Sequence, residues 1–270
     1  MSPAFDTATA VQDAGDGGWA AESHRDWETP LGANGGYLAA VVLRAMARQL
    51  DDQAYEPRSL TVQFLRSPHT GPLRIEVEVV RSGRRTAQLT ARGLQDDRVW
   101  GTALAVFGTA GTVDERFGTA MPQIPTAEGI EPLRLPVEFS PITHRVDMQQ
   151  VVGDAPFSGS TQSRIGGWVR FTEPQPFDAP ALAMLADAWL PAIFPRVTEP
   201  LFAPTLDYTV HFRNPPAARR IAIGESVLGI FTTDHAAEGY VEEDGELWSR
   251  DGVLLAQARQ LALLVPGEVR

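Results

Sequence analysis

Two polar residues stand where the surrounding pattern is apolar, and each has chemistry to offer. Asp187 lies in the run Leu182-Ala183-Met184-Leu185-Ala186-Asp187-Ala188-Trp189-Leu190-Pro191-Ala192. Aspartate is a poor helix former and could face solvent here, but Trp189, Leu190 and Ile193 make the region look buried, and an unpaired buried carboxylate is costly, so the placement suggests a use. Gln260 lies in the strand-like run Val253–Leu264, where alternation sets it among Leu254, Ala256, Ala258, Ala262 and Leu264. A lone amide among small apolar side chains must find hydrogen-bond partners, whether a helix, neighbouring backbone or water. Gly35-Gly36 opens a helical pattern. Free N–H groups at a helix start attract developing negative charge, and glycine lets a carbonyl come close, although the same pair also marks ordinary turns.

Several other chemistries are missing. The chain has no cysteine, which removes disulfides, thiolate nucleophiles, iron–sulfur clusters and cysteine-held zinc. It contains no G-x-S-x-G elbow, no Walker phosphate loop and no H-E-x-x-H zinc motif, and its five histidines lack ligand spacing. No metal and no cofactor is therefore expected. A net charge of -11 argues against nucleic acid as a partner. An anionic ligand would need a local basic cluster, for which Arg81, Arg84 and Arg85, or Arg219 and Arg220, are candidates beside the plainer reading of solvated turns. No apolar run is long enough to span a bilayer, and the N-terminus does not read as a secretory signal. A cytoplasmic location is the expectation.

The elements that must position these residues occur twice. Thr61-Val62-Gln63-Phe64-Leu65-Arg66-Ser67-Pro68 is echoed by Thr209-Val210-His211-Phe212-Arg213-Asn214-Pro215, each alternating and then stopping at proline. A helical pattern precedes each, over Gly36–Leu50 and from Ala179 through Leu185 and Trp189 to Ile193. Strand-like runs follow each: Leu73–Arg81, Ala87–Leu94 and Val99–Phe107, then Ile221–Ile230, Ala236–Glu242 and Val253–Val265. The chain therefore reads as two α+β units, each a long helix with an antiparallel meander, over 1–108 and 142–270. Residues 109–141, rich in Pro, Gly, Thr and Glu, read as the linker. In this alignment Gln260 of the second unit falls where the first has Ala105.

The motifs Gly32-Ala33-Asn34-Gly35-Gly36-Tyr37-Leu38-Ala39-Ala40, Phe64-Leu65-Arg66-Ser67-Pro68, Gly167-Trp168-Val169-Arg170-Phe171, Leu185-Ala186-Asp187-Ala188 and Ala256-Gln257-Ala258-Arg259-Gln260-Leu261 are loose singly but specific in number and order. With them the sequence resembles the TesB-like acyl-CoA thioesterases. That resemblance implies a tandem double hotdog, each unit a long helix wrapped by a curled antiparallel sheet. It also implies hydrolysis of acyl-CoA to fatty acid and coenzyme A, a role in fatty acid metabolism. The hydrolases of this family hold and activate a water with an aspartate, a threonine or serine, and a glutamine. The matching positions here are Asp187, Thr205 and Gln260, with Gly35 and Gly36 as oxyanion or substrate contacts and Arg84 and Arg85 as candidates for the coenzyme A phosphates. Strand parity sets Thr205 with Asp207 and Thr209, opposite Leu206 and Tyr208, so a bend after Pro204 would be needed to aim it into the site.

Two rival functions share this fold. A hydratase or dehydratase on acyl thioesters would call for a His–Asp or His–Glu pair, and the segment around Asp187 holds no histidine. A non-catalytic acyl-thioester or lipid-binding protein would need the pocket without the polar group. Hotdog units pair to build a site, and the tandem copy supplies that pairing. Further association as a two-fold homodimer is the simplest expectation.

Overall fold

The computed structural model describes residues 4–113, 115 and 117–267. Its main elements, numbered in chain order, are β1 (Gly18–Ser23), α1 (Gly35–Leu50), β2 (Glu56–Phe64), β3 (Gly71–Ser82), β4 (Thr86–Gln95) and β5 (Arg98–Gly108), followed by β6 (Val146–Val152), β7 (Arg164–Phe171), α2 (Ala179–Leu185), β8 (Thr205–Phe212), β9 (Val227–Thr232), β10 (Tyr240–Trp248) and β11 (Leu254–Leu263). With two short edge pieces the strands form one 13-stranded sheet, antiparallel at every pairing. The first five strands run β1-β3-β4-β5-β2, then β2 pairs with β8 and the order continues β11-β10-β9-β7-β6. Strand for strand, the second half mirrors the first.

The join between the halves fixes the internal two-fold. Thr61 pairs with Thr209, Leu60 with Val210, and Val62 with Tyr208, and the two threonine hydroxyls meet at 2.9 Å. The repeated T-V-x-F motif is therefore the seam itself. Both seam strands carry a register shift at the same place, between Pro57 and Ser59 in β2 and between Thr205 and Asp207 in β8. Such a bulge turns the residue before it off the strand's parity.

α1 is buried nearly all round: Tyr37 to Leu43, Ala45 and Met46 are all core residues. It packs on β3, β4 and α2. Asn34 caps it, its Oδ1 accepting from the Tyr37 N–H at 2.9 Å.

The second helix is shorter than the periodicity predicts. It ends at Leu185 rather than running on to Ile193. Pro191 cannot continue a helical ladder and disfavours helical backbone at Leu190, while the Asp187 carbonyl bonds the Asn34 side chain at 3.0 Å. Asp187 thus stands in the turn after α2. A helix of 16 residues is present in the first unit, and one of 7 residues in the second.

The strands before each helix, β1 in the first unit and β6 and β7 in the second, are absent from the pattern reading. In β7 the cause is Gly166-Gly167, which breaks the alternation. A Cβ on Gly167 would lie 2.0 Å from the Gln149 carbonyl oxygen across β6, so only glycine fits. In the second unit, β9 begins at Val227 rather than Ile221, and β10 runs Tyr240–Trp248 rather than ending at Glu242. The described residues between β5 and Ser140 form no helix or strand; Met121, Ile124 and Ala127 pack there against Trp168, Leu228, Ile230 and Trp248. Among the described residues no helix is long and apolar enough to cross a membrane.

Candidate active site

The turn after α2 meets the start of α1, and Asp187 is held at that crossing. Its Oδ2 accepts from the Gly36 N–H at 2.7 Å and from Asn34 Nδ2 at 3.1 Å. The N-terminus of α1, capped by Asn34, therefore receives the carboxylate, as its orphan N–H groups and dipole favour. Gly36 is required for the approach. A Cβ there would lie 2.9 Å from the carbonyl oxygens of Ala183 and Met184 and 2.9 Å from the Asp187 Cβ. We expect Gly36→Ala to destabilise the protein by about 1–3 kcal/mol and to displace Asp187, read as a lowered melting temperature together with lost turnover.

Burial pushes the Asp187 carboxyl up to about 6, against the opposing hydrogen bonds from Gly36, the Gln260 amide and Asn34. A carboxylate in that range is still mostly ionised at neutral pH and is a stronger base than an exposed one.

Thr205 and Gln260 are brought beside it. Thr205 is the residue before the β8 bulge, and its hydroxyl donates to Gln260 Oε1 at 2.7 Å. Gln260 Nε2 donates to Glu243 Oε1 at 2.8 Å, and the other oxygen of Glu243 accepts from the Ala192 N–H at 2.5 Å. Tyr208, Gln260 and Glu243 are direct cross-strand neighbours on β8, β11 and β10. Glu243 is 8% exposed. Burial pushes its carboxyl up to about 7, with the negative charges of Asp187 and Asp244 adding to the rise and the two donors opposing it.

The internal repeat supplies a control. Ala105 pairs with Leu60 on one side and Leu89 on the other, just as Gln260 pairs with Tyr208 and Glu243. Pro57 stands before the first bulge where Thr205 stands before the second. The first unit thus has Pro57, Leu60, Leu89 and Ala105 where the second has Thr205, Tyr208, Glu243 and Gln260.

Asn34 and Glu243 are the two residues that pattern reading missed. Asn34 sat within the Gly-rich helix start as an N-cap signal. Glu243 shares parity with Val241, Gly245 and Leu247, all buried, and became legible only once the strand is continued past Glu242.

All of Asp187, Thr205, Glu243, Gln260, Asn34 and Gly35 line one cavity of about 600 Å³, with Leu31, Phe64, Phe139, Leu190, Ile193 and Phe202 among its apolar walls. The Gly36 N–H is already given to Asp187, so it positions the carboxylate in this structure. Gly35, first in α1, has an N–H with no acceptor inside the helix. Arg84 and Arg85 lie exposed in the β3–β4 turn and are not among the cavity residues; Arg66 is the arginine on its wall. Among the described residues no cluster of His, Cys, Asp and Glu could hold a metal ion.

Comparison with known proteins agrees with this architecture. A hot dog fold protein of unknown function from Alicyclobacillus acidocaldarius is 28% identical, with TM-score 0.90 over 99% of this chain and 100% of that one. A candidate thioesterase II from Thermobifida fusca is 25% identical, with TM-score 0.83 over 98% and 99%. The acyl-CoA thioesterase II TesB2 from Mycobacterium marinum, 22% identical over 99% and 100% with TM-score 0.78, shares the fold. No curated protein sequence matches the chain. The family model of the acyl-CoA thioesterase N-terminal domain matches residues 23–108, and that of the acyl-CoA thioesterase C-terminal domain matches residues 119–264. This chain, an α+β hotdog protein of TesB-like type, belongs to the acyl-CoA thioesterase family.

Proposed function

We propose that the protein hydrolyses acyl-CoA thioesters to the free acid and coenzyme A by direct attack of water. The observation that carries this reading is the convergence of a raised carboxylate, a hydroxyl and an amide on one apolar cavity, in the second unit only. The cavity's apolar walls suit an acyl chain. Asp187 Oδ2 is occupied by Gly36 and Asn34, which leaves Oδ1 to accept a proton from the attacking water. The Thr205 hydroxyl spends its proton on Gln260 and keeps lone pairs with which to orient that water.

As the water oxygen bonds to the thioester carbonyl carbon, its proton passes to Asp187. The tetrahedral intermediate then expels the coenzyme A sulfur, and the proton leaves Asp187 for the thiolate. The Gly35 N–H, facing the cavity end of α1, is the donor available to the developing oxyanion. A thioester needs no covalent nucleophile for this, and general base assistance supplies about 10²–10⁴-fold.

The test is release of free thiol from acyl-CoAs of graded chain length at pH 8. Thiol and acid are expected in equal amounts, and Gln260→Ala is expected to lose about tenfold to a hundredfold in kcat. Saturable acyl-CoA binding without thiol release at any chain length would refute hydrolysis and favour a carrier of acyl thioesters.

A further inference from the structure

Glu243 is a buried carboxylate with no cation paired to it among the described residues. Its two oxygens are each committed to one donor, Gln260 Nε2 at 2.8 Å and the Ala192 N–H at 2.5 Å. We propose that Glu243 is a positioning residue of the hydrolysis, fixing the Gln260 amide so that its N–H groups face Asp187 and its oxygen faces Thr205.

A side-chain amide is nearly symmetric in shape but not in chemistry. Rotating the end of a glutamine by half a turn exchanges oxygen and nitrogen with almost no change in shape. The Thr205 hydroxyl can donate or accept, so it tolerates either orientation. Asp187 prefers a donor when ionised, but it loses that preference each time it takes a proton in the reaction. Glu243, when ionised, only accepts. It holds Nε2 in place throughout, and its second oxygen is anchored on the backbone of the Pro191-Ala192 turn, so it cannot swing away.

The repeat argues against a merely structural part. At the matching place the first unit has Leu89, fully packed between neighbours, beside Ala105. The fold is thus satisfied by an apolar residue there. A buried, unpaired carboxylate is the costlier choice, and it occurs only beside the amide. The ionisable groups around it are Asp187 from the turn after α2 and Asp244 on its own strand, both negative, so nothing nearby neutralises it.

This inference rests on the hydrolase reading, and its test separates the two. Glu243→Gln has one acceptor oxygen for two donors, so either Gln260 or Ala192 meets an NH₂ group. Glu243→Leu copies the first unit and protects the experiment against misfolding of the first variant. Both are expected to fold, and to lose about tenfold to a hundredfold in kcat with KM within about twofold. Removing the negative charge at 243 is also expected to shift the acid limb of the kcat–pH profile to lower pH, which a packing role would not do. Parental kcat and an unshifted acid limb in both variants would overturn the proposal.

A second readout is independent of turnover. In the ¹⁵N-labelled parent, the Gln260 side-chain amide signal, assigned by its loss in Gln260→Ala, is expected to titrate with Glu243 and to move upfield in Glu243→Leu. An amide signal unchanged by Glu243→Leu would also overturn it. If the parent releases no thiol but the amide behaves as stated, the hydrolase reading fails and the positioning of Gln260 by Glu243 stands.

Discussion

Asp187→Asn is expected to lose at least about a hundredfold in kcat while becoming more stable than the parent at pH 8. The asparagine oxygen can still accept from Gly36 and Asn34, so the crossing of α1 and the turn keeps its geometry. What disappears is the lone pair that takes the proton of water in the proposed hydrolysis. The stability change follows from the sign of the shift. Burial raises the folded-state value from the ordinary 3.8 to about 6, so the ionised form is disfavoured by folding. The parent is then least penalised below pH 3.8 and loses stability as pH rises through 6. At 1.36 kcal/mol for each tenfold change, the full loss above pH 6 is up to about 3 kcal/mol. Asparagine carries no charge to bury. Denaturant melts of both proteins at pH 5 and pH 8 check this: the gap in favour of Asp187→Asn should widen at the higher pH. Parental turnover in a folded Asp187→Asn would remove the base from the mechanism.

The second large effect is the fall of turnover with acid. The proposed hydrolysis needs Asp187 ionised, and protonation near pH 6 would remove its base. Glu243, raised to about 7, holds Gln260 best when ionised. Both carboxyls sit in one network and each disfavours the other's charge, so they titrate as a pair in two steps. The expected profile is flat above about pH 8 and falls below it, and the slope of log kcat approaches two below about pH 6. At pH 5, protonation of Asp187 alone costs about tenfold, and the second group makes the fall deeper. Steady-state kcat between pH 4.5 and 9, on protein shown to remain folded, measures it. A profile flat down to pH 5 would contradict the role of both groups.

What could be read from the chain without its structure depended on period. The T-V-x-F strands and their proline stops announce the duplication, and the structure makes them the seam. In the first unit β3, β4 and β5 were legible to within two residues because QDDR and SGRR mark their turns plainly, whereas β1 was not read at all. The second unit was harder. Acidic residues run through β10 and obscured its alternation, which hid Glu243. α2 looked longer than it is because the turn after it stays apolar through Trp189 and Ile193, burying backbone that is not helical. Within the candidate site, Gln260 stood out by contrast with Ala105. Thr205 did not, since strand parity turns it away and only the bulge brings it back. Asn34 serves Asp187 from across the chain, 153 residues away, and no local pattern encodes that contact.

In the proposed hydrolysis the cluster drives water directly onto the thioester carbonyl, without an acyl-enzyme on Asp187. A single turnover of acyl-CoA in ¹⁸O-labelled water, with enzyme in excess, tests it most directly. One ¹⁸O atom is expected in the acid released and none in Asp187. Unlabelled acid from that first turnover, with ¹⁸O found in the Asp187 carboxyl, would contradict it.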